Sequence, residues 1–219
     1  MSGSAGSGYF ISPDSGPGPG VLLLHSLWGM NRNTKDTANR LADHGFTVLA
    51  PDLNNGVVFE HQDEALAALA EADVNVVASL VQSSLGILRK ASKEPTNSIG
   101  IVGYGPGASW ALWMSARLTE EVGAVVTYYG AQSIPMDGAS APYLSHWAET
   151  DSLVSDLEVA ELGLNLQMAG LDFRFEHHGG TSNGFAEQGR PEYNPEAEAV
   201  AWRQTTEFLA GHLRVTDET

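Results

Sequence analysis

Short apolar runs, each followed by a stretch of helical composition, constrain this chain more than any other feature. Val21-Leu22-Leu23-Leu24 has no polar residue to turn toward water, so as a strand it is buried on both faces, the condition of a parallel sheet. Phe46–Ala50, closed by Pro51-Asp52, reads the same way, as do Ile99–Val102, Val122–Tyr129 and Tyr143–Ala148. Asp172–Glu176 supplies a last strand and Tyr9–Ile11 a short edge strand. Between them lie helices. Asn33 or Thr34 caps the first, with Ala38, Leu41 and Ala42 as its apolar stripe and Gly45 as its stop. Residues 63–91 read as one or two helices, followed by Gly107–Arg117, Val154–Ala169 and Pro195–Leu213, the last with Ala199, Trp202, Thr206 and Leu209 on one side. Alternating strands and helices imply a parallel α/β sheet covered on both faces. Ligands bind such sheets at the carboxyl ends of the strands, so the informative loops follow residues 24, 50, 102, 129, 148 and 176.

With 219 residues the chain suits one domain, expected over residues 9–219 behind a flexible Gly/Ser arm at residues 1–8. A net charge of −16 disfavours nucleic acid as a partner and fits a small, amine-bearing ligand better than an anionic one. The absence of cysteine excludes disulfides, thiolate metal sites and a catalytic thiol, and accords with a reducing cytoplasm. There is no signal-peptide pattern and no apolar run approaching the ~18 residues of a membrane helix, so the expected location is cytoplasmic.

Ile101-Val102-Gly103-Tyr104-Gly105-Pro106-Gly107 lies between a strand and a helix and has the layout of a nucleophile elbow, with Gly103 and Gly107 at its outer positions. Residues 21–31 (VLLLHSLWGMN), 41–53 (LADHGFTVLAPDL), Tyr128-Tyr129-Gly130 and the tail 183–209 (NGFAEQGRPEYNPEAEAVAWRQTTEFL) resemble the dienelactone hydrolase family, over nearly the whole of residues 21–213. The resemblance implies the α/β-hydrolase fold, mostly parallel with helices on both faces. It also implies a Cys–His–Asp triad whose thiol is restrained by a glutamate from the first strand loop. In this sequence the nucleophile position falls on Gly105, the histidine on Asn183, the glutamate on Ser26 and the acid on Asp151. Only the aspartate matches. The residue after the nucleophile, whose N–H serves the oxyanion hole, is Pro106, which has none. Losing one such donor costs on the order of 3 kcal/mol of transition-state stabilisation.

These departures lead to the expectation of a small-molecule enzyme that has lost ester and lactone hydrolysis and reuses the pocket for cyclisation, elimination or isomerisation, as in secondary metabolism. Asp151 would be the catalytic base. His25, Ser26, Trp28, Tyr104, Gly105, Tyr129 and Asn183 would bind substrate, with no cofactor and no metal. Two rivals stay open: a catalytically silent subunit that binds a ligand or completes a partner enzyme or homodimer, and a residual hydrolase with Ser26 as a relocated nucleophile. His25 is a poor base for Ser26, because adjacent strand residues point to opposite faces. His177-His178 offer a substitute base, but without carboxylates at a suitable spacing they are weak evidence for a metal site.

Overall fold

The computed structural model describes residues 6–93 and 98–213, and residues 1–5 of the expected arm lie outside that range. In chain order the elements are β1 (Gly8–Ile11), β2 (Gly20–Leu24), α1 (Arg32–Asp43), β3 (Thr47–Pro51), α2 (Gln62–Glu71), α3 (Val74–Ala91), β4 (Ile99–Tyr104), α4 (Pro106–Arg117), β5 (Val122–Tyr128), β6 (Tyr143–Thr150), α5 (Asp156–Met168), β7 (Phe173–Ser182) and α6 (Pro195–Leu213). Among the described residues the strands form one seven-stranded sheet in the order β1-β3-β2-β4-β5-β6-β7. All pairings are parallel except β1 with β3.

The apolar runs become central strands because neither face meets water. Along β2, Leu22 and Leu24 join a core layer with Val81 and Leu85 of α3, Leu112 of α4 and Leu162 of α5. Val21 and Leu23, pointing the other way, join a layer with Ala38 and Leu41 of α1 and Ala201 and Leu209 of α6. A small third cluster, Leu27, Trp28 and Ala65, ties α2 to the loop after β2, so α2 sits over the strand ends.

Several boundaries differ from those expected. The cap of α1 is Asn31, whose side chain accepts from the Thr34 N–H, so the helix starts earlier than an Asn33 or Thr34 cap allows. Helical residues 62–91 split at Ala72-Asp73, where Asp73 caps α3 by accepting from Asn75 N–H and Val76 N–H. Ser155 and Glu158 close a reciprocal capping box that starts α5 later than Val154. On α6 the buried stripe runs through Glu198, Ala201, Thr205 and Leu209. Trp202 lies beside it, half-exposed under the Arg40 guanidinium at 3.9 Å, rather than in the core.

The largest correction is β7. It does not stop at Glu176 but continues to Ser182, because β6 also runs on and the ladder extends to the Thr150–Ser182 pair. That extension sets Asp151 and Asn183 side by side just past the last rung.

The turn from β4 into α4 depends on close backbone approach. A Cβ at Gly107 would run into the carbonyl oxygens of Leu24 and His25. Gly107→Ala is therefore expected to push α4 off β2 and to destabilise the fold by about 1–3 kcal/mol. Urea denaturation with an unchanged m-value checks this.

Candidate active site at the carboxyl ends of the strands

A cavity of about 390 Å³ opens where β2, β4, β5, β6 and β7 end. Gly105, Asp151, Asn183, Ser26, Trp28 and Tyr129 all line it, so the structure brings together most of the residues picked out from the sequence.

Gly105 sits at the N-cap of α4 with φ 50° and ψ −116°, a conformation strained for any residue with a Cβ. Its N–H donates to Tyr128 O at 2.9 Å, and its carbonyl accepts from Ala108 N–H, which fixes the turn. A Cβ built here would meet nothing within 4 Å, so the elbow points into open space. Pro106 follows as the first residue of α4.

Asp151 is fully engaged. Its Oδ1 accepts from Leu153 N–H (2.8 Å), Val154 N–H (3.0 Å) and the Asn183 amide (3.0 Å), and its Oδ2 accepts from the same amide (2.9 Å). The Asn183 N–H in turn donates to Thr150 O at 3.1 Å, which locks the pair to the β6–β7 ladder.

The residue that sequence reasoning missed is Glu187. It is buried beneath the same cavity and accepts from Ser26 Oγ at 2.5 Å and from the Tyr129 hydroxyl at 3.0 Å. Burial pushes its carboxyl up to about 7, with the two hydroxyl donors holding it back. The Tyr129 phenol is pushed well above its ordinary 10, chiefly by burial, so it stays protonated and donates. Tyr129 takes φ 38°, unusual for a side-chain-bearing residue, with its N–H held by His146 O at 2.9 Å. Glu187 arrives here because Phe185, buried against Tyr128, Tyr129 and His178, pins the loop after β7. The turn at Gly184 then brings the chain back, with Glu187 N–H donating to Gly184 O. The only sequence signal was an acid two residues beyond that aromatic, in a Gly-rich loop.

Trp28 forms a wall of the cavity, and the Arg190 guanidinium lies 3.5 Å from its ring centre on another side. Two other expected substrate contacts do not reach the cavity. Tyr104 belongs to the core layer under α1 and α6, stacked on Tyr128 with ring centres 4.4 Å apart, because its place in β4 points it away from the strand ends. His25 accepts from Leu53 N–H at 2.9 Å through Nε2, which leaves Nδ1 protonated to donate to Ser26 O at 2.8 Å. Burial lowers its pKa, and its role is to bind the ends of β2 and β3 together.

The histidine pair is likewise placed elsewhere, because β7 continues through it and alternation splits the two. His178 turns into the core, 3.1 Å from His146, which reaches Thr205 on its other nitrogen. His177 faces a separate surface hollow beside α5. Among the described residues, no group of three or more His, Asp or Glu is placed to hold a metal. No described helix is long and apolar enough to cross a membrane.

A mostly parallel sheet covered on both faces, with a β4–turn–α4 elbow and loops from five strand ends converging beside it, defines the α/β-hydrolase fold. A phosphotriesterase from metagenomic libraries, described as dienelactone hydrolase-like and promiscuous, has this fold at a TM-score of 0.82 and 22% identity, covering 94% of this chain and 92% of its own. The dienelactone hydrolase profile matches residues 7–213, and the chain belongs to that family. Among its relatives are Protein usf of Aquifex pyrophilus, 25% identical over 94% of this chain and 93% of its own, and the carboxymethylenebutenolidase of Rhodococcus opacus, 26% identical over 93% and 85%.

The raised Glu187 carboxyl makes stability depend on pH. Below its ordinary 4.5 it is protonated in both folded and unfolded chains and costs nothing. As pH rises from there through about 7, the unfolded chain ionises first and stability falls. Above about 7 the full cost is present, on the order of 3 kcal/mol. Glu187→Gln is therefore expected to gain stability over the native chain at pH 8 and to lose that gain by pH 4. Urea midpoints measured across this range check it, and a constant difference would mean that the carboxyl titrates normally.

Proposed function

We propose that this chain is a non-hydrolytic member of its family, an enzyme of small-molecule metabolism that moves a proton within its substrate, with Glu187 as the acid/base. The observation that carries this reading is the Glu187 carboxyl, buried at the cavity, pushed up to about 7 and held by the hydroxyls of Ser26 and Tyr129. A carboxyl poised near neutrality takes a proton from a weakly acidic C–H, O–H or N–H of the substrate and returns it at a second atom. That sequence is what isomerisation, elimination and ring closure require. Asp151, the base expected from the sequence, fits a positioning role better, since its oxygens already accept four hydrogen bonds together with Asn183.

The elbow supports the loss of hydrolysis, since it presents no side chain at Gly105 and no N–H at Pro106. The lining favours an uncharged or amine-bearing substrate. It carries three carboxylates, Asp151, Glu187 and Glu192, and among the described residues no lysine, arginine or histidine.

A second reading is favoured by one distance. Ser26 Oγ lies 2.5 Å from the Glu187 carboxyl, which as base would activate the hydroxyl for acyl transfer. Two probes separate the readings. 5-Nitrobenzisoxazole opens to a coloured phenolate when a base removes its ring proton. Its turnover is expected to rise with pH to a plateau above about 7 and to fall by about 10²-fold in Glu187→Gln. Turnover that is indifferent to Glu187→Gln would overturn the proposal. Steady release of nitrophenol from 4-nitrophenyl acetate, with fluorophosphonate labelling of Ser26, would establish the serine reading instead. Silence toward both probes would leave a binding or partner subunit.

A further inference from the structure

A second cavity, of about 590 Å³, adjoins the first, and Gly105, Pro106, Leu27 and Tyr129 line both. It runs from the elbow between α2 and the outer face of α4, walled by Leu66, Leu69, Val74, Trp110, Trp113 and Ile134. Trp110 and Trp113 meet edge to face at 5.4 Å on one side, where the Arg117 guanidinium lies 5.0 Å from the Trp113 ring centre. The opposing wall is unusual for a soluble surface, because Leu69 is 44% exposed and Val74 65% exposed. Apolar side chains left to water around a concave site are the usual mark of a surface that a ligand covers.

Gly105 joins the two spaces. A side chain there would project from the elbow into the opening they share, where nothing lies within 4 Å of a Cβ, while the Pro106 ring replaces a polar N–H with an apolar floor. We propose that the missing side chain at Gly105 opens a passage, and that the enzyme takes an extended, apolar, ring-bearing substrate lying across it. The reactive end rests at Glu187, and the body lies along Trp110 and Trp113 against Leu69 and Val74. The inference deepens the proton-transfer reading and rests on it for the reactive end, but its test does not require turnover.

Nile red, a neutral polycyclic dye that brightens and shifts to the blue in apolar surroundings, is the probe. It is expected to bind the native chain saturably, and more weakly by about tenfold in Leu69→Glu, which sets a charge in the cleft wall. Gly105→Leu, which fills the passage, is expected to weaken it by a similar factor. Should that variant fail to fold at φ 50°, Leu153→Trp, which narrows the same opening from an exposed position that lines both cavities, replaces it. Where 5-nitrobenzisoxazole is turned over, Nile red should raise its KM and leave kcat unchanged. Dye affinity indifferent to Leu69→Glu, or to the substitution that fills the passage, overturns the inference, as does saturable binding that leaves the benzisoxazole KM unmoved. Native turnover of benzisoxazole without dye binding removes only the extended substrate. Dye binding that responds to both substitutions, with no benzisoxazole turnover, keeps the passage and removes Glu187 as base.

Discussion

The site depends on how tightly β4 can turn into α4. Gly103 and Gly107 let the first turn of the helix lie against the backbone of β4 and β2, where a Cβ on either residue would collide with main-chain atoms. Gly105 between them holds φ 50° and ψ −116°. Once that turn is set, the rest of the pocket follows. Tyr128 O is held by the Gly105 N–H, which brings Tyr129 to the rim, and the loop after β2 passes close enough for Leu27 to line both cavities. The turn has the shape of a nucleophile elbow, with a glycine at its tip. Glycine carries that conformation without the steric strain any other residue would bring.

Those parts of the fold that depend on each residue's own character were legible in the sequence. A run such as Val21–Leu24 admits a fully buried strand and little else, and the elbow announces itself through the spacing of its glycines. What escaped depended on contacts distant in the chain. The reach of β7 to Ser182 could not be read from its polar composition, since the ladder with β6 is what holds it extended. Trp202 looks like core by size but stacks under Arg40, and Tyr104 looks like a pocket aromatic but is buried in the core layer with Tyr128 and Tyr129. Glu187 is the clearest case. Its hydrogen-bond partner Ser26 is 161 residues away, and its burial comes from Phe185 docking among Tyr128, Tyr129 and His178. Its place two residues beyond Phe185 in a Gly-rich loop is too slight a pattern to set it apart from the chain's other acidic residues.

Asp151 and Asn183 face each other just past the paired ends of β6 and β7. A histidine opposite this aspartate would accept a proton and leave the carboxylate to balance the resulting charge. The asparagine amide gives Asp151 a donor and takes no proton, so the pair becomes a fixed clamp between β6 and β7. Across the cavity floor, burial raises the Glu187 carboxyl to about 7.

That carboxyl is an expensive choice if its purpose were only structural. Burial lowers the pKa of His25, His146 and His178, so these imidazoles cost the folded chain nothing above their ordinary 6.5 and destabilise it as pH falls below that. Glu187 works in the opposite sense between about 4.5 and 7. A glutamine would offer one of the two hydroxyls an acceptor and the other an N–H donor, with no charge to desolvate at neutral pH. The carboxyl instead costs on the order of 3 kcal/mol above about pH 7. Such a cost set in a cavity is characteristic of a group that exchanges protons with what it binds.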